Sequence, residues 1–280
     1  QSAQHNVSSI AQDPRVGFRN IWYYSTGEGL GNSASLSGAL YAGHGIWRST
    51  DSGNTWTQMS FPAANQEFVF DSRFDIITKI VVHPTTGDLF VAVLGAIYRF
   101  DISANAWITE LLPTGGGFNT SHLTDVVITS TGRVYTAFSG AGPATSEGIW
   151  TSTNATGAAA GTWTRIANDA NPVGWNQTGR AVLGLAPSNQ NILYVLYLSD
   201  ASTPSPGDSD LWRWNQATAT WTNFSSKIPD EPGGSAGNDP FNSQGAYDLV
   251  VSVKPDNENF VVIGGTNAYK INNINTDAFV

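Results

Sequence analysis

A chain of 280 residues without a single cysteine cannot be held together by disulfides, and its formal net charge of −9 leaves no basic stripe with which to neutralise phosphates. Disulfide-stapled scaffolds and nucleic-acid binders are therefore excluded, and with no apolar run as long as a membrane-spanning helix, membrane insertion is not expected. Charged residues make up only 12% of the chain while Gly, Ser, Thr and Asn abound, a balance that suits a secreted β-protein.

In chain order, Gln1-Ser2-Ala3-Gln4 reads as a processed mature start, a hint of secretion. Pairs of short apolar runs then recur with turn residues between them: Ser9-Ile10-Ala11 with Ile21-Trp22-Tyr23-Tyr24, then Ile80-Val81-Val82 with Leu89-Phe90-Val91-Ala92-Val93. Val126-Val127-Ile128 with Val134-Tyr135-Thr136-Ala137 follows, then Val182-Leu183-Gly184-Leu185 with Ile192-Leu193-Tyr194-Val195-Leu196, then Leu249-Val250-Val251 with Phe260-Val261-Val262-Ile263. Runs of this length bounded by Gly, Asn and Asp predict strands joined by hairpins, buried on both faces. After each pair comes a second frame: Ile46-Trp47-Arg48, Ile97-Tyr98-Arg99, Ile149-Trp150-Thr151, Leu211-Trp212-Arg213 and Ala268-Tyr269-Lys270. The first four frames close on Trp56, Trp107, Trp163 and Trp221, at intervals of 51, 56 and 58 residues, and a further step of 58 lands on Phe279. A period of this size with about four strands per copy predicts an all-β propeller of four-stranded antiparallel blades. The repeats run over 8–62, 74–113, 123–168, 180–229 and 247–280, in one domain. A β-sandwich would also show many short strands but not the recurring frame. The fifth repeat stops at Val280 before a complete fourth strand, so the chain reads as five blades of a six- or seven-bladed ring, or as part of a longer polypeptide with further domains.

The most specific stretch is Ser49-Thr50-Asp51-Ser52-Gly53-Asn54-Thr55-Trp56. Asp51 can accept hydrogen bonds from its own turn, Gly53 can take the positive φ of a tight hairpin, and Trp56 covers the turn with an apolar face. These residues resemble an Asp-box (BNR repeat), found in bacterial sialidases, sorting-receptor propellers and two-propeller xyloglucan-cleaving glycosidases. The resemblance implies a fold marker between the third and fourth strands of a blade, usually remote from an active site. Trp22-Tyr23-Tyr24-Ser25-Thr26-Gly27-Glu28-Gly29, Gly45-Ile46-Trp47-Arg48 and Lys254-Pro255-Asp256-Asn257 further resemble the N-terminal propeller of large secreted bacterial proteins with a type IX secretion sorting domain. Sialidases also carry an Arg-Ile-Pro segment and three substrate-binding arginines. This chain has no such segment, and Arg48, Arg99 and Arg213 precede the box positions and look structural.

In a propeller, ligands bind where the inner strands begin. The lead-ins to those strands hold Arg73 and Asp75, His122 and Asp125, Arg180, and Tyr247 and Asp248. Asp75, Asp125 and Asp248 are the catalytic candidates, since two carboxylates across a glycosidic bond suffice for most glycosidases. Arg73, His122, Arg180 and Tyr247 are ligand-binding candidates, and the alternative is that all of these residues serve the loops themselves. Trp175 and Phe118, in loops outside the frame, could stack on sugar rings or cap blade edges. Glu28, between glycines, reads as a loop anchor. No cofactor is expected; calcium is the one alternative, at Asp200, Asp208 and Asp210 in the acidic insertion 199–210. The four histidines show no zinc spacing. The expected role is a secreted or cell-surface module for recognition or adhesion, with a glycan or surface protein as partner and no catalysis of its own. A glycoside hydrolase with carboxylates at the tunnel mouth is the alternative, and a structural spacer the third reading.

Overall fold

The computed structural model describes residues 6–29, 40–61, 66, 69–113, 123–139, 146–199, 209–229, 241–243 and 245–280. Its regular elements are strands, with two short 3₁₀ turns at Arg73–Asp75 and Ser225–Lys227 and no α-helix among the described residues. The strands form five antiparallel sheets.

The first sheet is β1 (Val7–Gln12), β2 (Trp22–Thr26), β3 (Ile46–Ser49) and β4 (Thr57–Gln58). The second is β5 (Ile77–Val82), β6 (Leu89–Val93), β7 (Ala96–Asp101) and β8 (Ala106–Leu111). The third is β9 (Thr124–Ile128), β10 (Val134–Phe138), β11 (Gly148–Ser152) and β12 (Thr164–Ala167). The fourth is β13 (Ala181–Leu185), β14 (Ile192–Leu198), β15 (Ser209–Asn215) and β16 (Thr220–Asn223), and the fifth is β17 (Val250–Lys254), β18 (Asn257–Gly264) and β19 (Ala268–Ile271). Each sheet is a meander in which strands adjacent in sequence are adjacent in space. Beyond β19, the N–H and C=O of Lys270 both bond to Val280, a pair of contacts in the place of a fourth strand.

The chain divides into two compact units, 1–138 with 149–166 and 139–148 with 167–280. Within the first, β5 lies against both β1 and β9; within the second, β13 lies against β17. First strands thus face first strands. Burial then follows from position in the sheet. The second strands β6, β10 and β14 are buried at every residue, which is why they read as nearly continuous apolar runs, with Thr136 the one polar side chain. The apolar side chains of β2 and β5 to β7 form one core between the first two sheets, and Phe90, Ala92, Val126 and Val134 join the second to the third. In the second unit, Tyr194, Leu196, Val251, Val261 and Ile263 belong to a single core.

The expectation that every apolar strand is buried on both faces fails at β1 and β17. There burial alternates or fades, leaving Val7, Ile10 and Val250 exposed, because no described element covers their outer face.

The 49–56 turn forms as its residue types dictate. Asp51 Oδ1 accepts from the Thr55 N–H at 2.9 Å and the Ser49 hydroxyl at 2.7 Å, and Oδ2 accepts from the Thr55 hydroxyl at 2.6 Å. Gly53 takes φ +88°, and Trp56 Nε1 donates back to the Gly53 carbonyl at 3.0 Å. These donors, the Thr55 hydroxyl foremost, hold the Asp51 carboxyl down at about 2. The third repeat builds the same turn with Asn154: its Oδ1 accepts from the Thr162 N–H at 2.7 Å and the Ser152 hydroxyl at 3.1 Å. The second and fourth repeats do without a turn glycine by placing Asn105 and Ala219 at φ +52° and +51°.

Three of the repeat tryptophans share a register. Trp107 pairs with Phe100 and Trp221 with Trp214, while Trp56 precedes the Thr57 that pairs with Arg48. All four indoles are half-buried.

Candidate functional site

The predicted site residues fall at the strand lead-ins, and the structure shows what each does there. Ser72 caps the 73–75 turn, its hydroxyl accepting from the Phe74 N–H at 3.1 Å. Asp75 completes a capping box: Oδ2 accepts from the Ser72 N–H at 2.6 Å and the Asp71 N–H at 2.8 Å. The Asp75 side chain is wholly buried, and Oδ1 has no partner among the described residues. Burial pushes this carboxyl up to about 6, against the pull of its two backbone donors. Arg73 donates to the Leu94 carbonyl, and burial lowers its guanidinium. Asp125, second in β9, pairs with Lys79 of β5 at 3.0 Å and accepts from the Val126 N–H at 2.8 Å. It ties one first strand to the next.

In the second unit, Arg180 precedes β13 and donates to the carbonyls of Ala246 and Tyr247, at 3.1 and 2.9 Å. It thereby fastens the segment leading into β17, where Ala246 holds φ +74°. The Asp248 N–H donates to the Ser243 carbonyl at 3.1 Å, and Tyr247 and Asp248 are both half-buried. The candidates therefore divide between the units: Arg73, Asp75 and Asp125 in the first, Arg180, Tyr247 and Asp248 in the second. His122, Phe118, Asp200 and Asp208 lie outside the described residues, whereas Asp210 sits in β15, opposite Tyr197. The Glu28 backbone exchanges hydrogen bonds with that of Tyr41.

Trp175 requires correction. Its loop lies outside the repeat frame, but the indole is only 3% exposed and packs on Tyr197, Trp212 and Trp221 at centroid distances of 4.5, 5.8 and 5.3 Å. Tertiary packing hides the face that a sugar would need, and Trp175 caps an indole of the repeat frame.

Sequence reasoning missed the most densely bonded charged group. Arg99 is wholly buried. Its Nε donates to Glu110 at 2.6 Å, Nη1 to Asp88 at 2.8 Å, and Nη2 to the carbonyls of Gly157 and Ala159 at 2.6 and 3.1 Å. Glu110 Oε2 in turn accepts from the Gly161 N–H at 2.7 Å and lies 3.4 Å from Trp163 Nε1. Every group in this network is answered, so it fixes the third repeat's turn on the second sheet rather than waiting for a ligand. The signal was present: Glu110 stands three residues after Trp107, where Met59 follows Trp56 and Phe224 follows Trp221.

Asp75 is enclosed and Asp125 is held by Lys79.

No protein-family model and no curated protein matches the chain. Solved structures do. A GH74 enzyme from Niastella koreensis superposes with TM-score 0.61 at 18% identity, over 98% of this chain and 46% of that one. A GH74 xyloglucanase from Xanthomonas campestris gives 0.62 at 16% identity, over 98% and 38%. The extracellular domain of a putative hybrid two-component system from B. thetaiotaomicron gives 0.56 at 13% identity, over 100% and 30%. The chain spans less than half the length of each of these three. Its neighbours thus include both glycosidases and extracellular sensor domains, and no helix among the described residues is long and apolar enough to cross a membrane. Meandering four-stranded sheets, first strands laid against first strands, and these neighbours together make the fold a β-propeller.

Proposed function

We propose that this chain is an Asp-box propeller acting as a recognition or adhesion module of a secreted or cell-surface protein, without catalysis of its own. The observation that carries this reading is the state of the two first-unit carboxylates: Asp75 is buried in a capping box and Asp125 is paired with Lys79. The donor pattern of Asp51, repeated at Asn154, supports the Asp-box assignment. Export through a type IX sorting domain on the same polypeptide belongs to the same proposal and rests on the resemblance of the segments at Trp22, Gly45 and Lys254 alone. Half-buried Tyr247, held at the lead-in to β17 by Arg180, is the side chain proposed to meet a glycan or protein surface.

The second reading, a glycoside hydrolase, is favoured by the GH74 likeness. An array of glycans and bacterial surface proteins separates the two. The recognition reading expects saturable binding that Tyr247→Ala weakens about tenfold, with no release of reducing ends. Release of reducing ends that Asp75→Asn or Asp125→Asn abolishes would establish the hydrolase instead. A wild-type chain that binds nothing on the array contradicts the recognition reading.

A further inference from the structure

Three sheets carry an arginine in the same register of the third strand. Arg48 stands opposite Thr57, Arg99 opposite Ile108 and Arg213 opposite Thr222, each partner being the residue after the repeat tryptophan. The three guanidinium groups therefore leave equivalent backbone positions, and the surroundings decide what they meet. Arg99 meets the carboxylates of Glu110 and Asp88 and two carbonyls of the turn between β11 and β12. That turn reaches Arg99 because it is longer: Ser152 and Trp163 lie eleven residues apart where Ser49 and Trp56 lie seven apart. Arg213 stacks on Phe224 and donates at 3.1 Å to Asn275, on the segment after β19. In both cases the segment following the next sheet's third strand answers the guanidinium.

Arg48 has no such answer. Met59 occupies the place of Glu110, its N–H bonding to Ile46 as that of Phe224 bonds to Leu211. Ile21 occupies the place of Asp88, since Trp22 pairs with Ser49 as Leu89 pairs with Phe100. The 101–106 turn of the next sheet has no insertion. The Arg48 guanidinium meets the Tyr23 hydroxyl of its own sheet, its carbon 6.0 Å from that ring's centroid, while Nε is buried without a hydrogen-bond partner among the described residues. In front of it opens a cleft of about 470 Å³ between the first and second sheets, lined by Arg48, Thr57, Gln58, Met59, Phe100 and Asn105 among others. A half-buried guanidinium that lines a cleft and meets no carboxylate among the described residues can take a charge-assisted hydrogen bond from a ligand carboxylate. The apolar floor of Met59 and Phe100 and the hydroxyl and amide rim suit a short chain with its own hydrogen-bonding backbone.

We propose that this cleft binds an extended acidic peptide segment of a partner protein, a carboxylate meeting Arg48 and the peptide backbone meeting the Thr57, Gln58 and Asn105 side chains. Peptide is chosen over sugar because polypeptide carbonyls and carboxylates are what cover the equivalent Arg99. The net charge of −9 opposes an acidic ligand at long range, so selection comes from the contact and not from steering. The inference rests on the recognition reading above and names one class of partner for it.

The test is calorimetric titration of the whole chain with a blocked peptide alternating glycine with glutamate, its glutamine counterpart, and a galacturonate trimer. The glutamate peptide is expected to bind about tenfold or more tightly than the glutamine peptide. Arg48→Met, which keeps the apolar stem, should erase that difference. Met59→Glu should also erase it, by placing a carboxylate within the cleft where Glu110 stands in the second sheet. Circular dichroism matching wild type shows that each variant is folded; should Met59→Glu fail to fold, Arg48→Met carries the test alone. Equal binding of the two peptides, a difference that survives Arg48→Met, or binding of galacturonate alone overturns the proposal. Array binding unaffected by Arg48→Met leaves the recognition reading standing while the peptide site falls.

Discussion

Asp51 and Asn154 show how little chemistry the repeat turn needs. Each offers one side-chain oxygen to the N–H that begins the return strand, at 2.9 and 2.7 Å, and each accepts from a serine hydroxyl two residues earlier. The turn can therefore form without the charge of Asp51 but not without its acceptor. Asp51→Asn, which loses the charge and the oxygen that accepts from the Thr55 hydroxyl, should lower the melting temperature modestly at pH 7, and Asp51→Ala should lower it further in a thermal scan. Because the folded Asp51 carboxyl sits at about 2, its ionic contribution is present above the ordinary carboxylate range and lost as pH falls through about 2, so wild type and Asp51→Asn should converge in acid. Asp75 behaves in the opposite sense. Its carboxyl is raised to about 6 by burial, so its favourable contribution is complete below about pH 4 and is lost as pH rises through 6. Asp75→Asn keeps an oxygen for the Ser72 and Asp71 N–H groups while removing the buried charge. It should stabilise the chain by about 1–3 kcal/mol at pH 8 and flatten the stability profile between pH 4 and 6, read by urea titration. The turn at Asp51 was legible because every partner lies within a few residues. Asp75 was legible only as polarity at a lead-in; its burial and its place in the capping box are tertiary facts.

Sheets differ in how they hold their neighbours, and the difference lies in a few side chains. The second sheet uses Arg99, Asp88 and Glu110, all buried; the first uses Met59 and Ile21 at the matching places. Removing one member of a buried ionic set strands the rest, so Arg99→Met should cost about 3–5 kcal/mol in denaturant unfolding. Adding Glu110→Met and Asp88→Ile to it, which recreates the first sheet's composition, should recover a substantial part of that loss. The strands themselves were readable from their β-branched and aromatic runs. The partners of Arg99 were not readable, because a loop that acts through the carbonyls of Gly157 and Ala159 leaves no side-chain signature. Trp175 failed for a related reason. A tryptophan in an irregular segment looks like an exposed platform until Trp212 and Trp221 are seen to close over it.

At the scale of the whole molecule, one motif is used five times, and its variations carry the information. Periodic tryptophans disclosed the sheet, its four-strand order and its propeller class, because an indole opposite a fixed position of the third strand is a local requirement repeated along the chain. They disclosed nothing of ligand or partner, which depend on what each copy lacks or adds, as Arg48 lacks the acids and the loop given to Arg99. The central claim is that the copies are structurally one blade. A crystal structure of the chain, with its sheets superposed one upon another, tests it most directly. The account predicts that Trp56, Trp107, Trp163 and Trp221 overlay on a single position at the start of the fourth strand, with Arg48, Arg99 and Arg213 overlaying on the third. Any one of the four indoles on a different strand, or on the opposite face of its sheet, would contradict it.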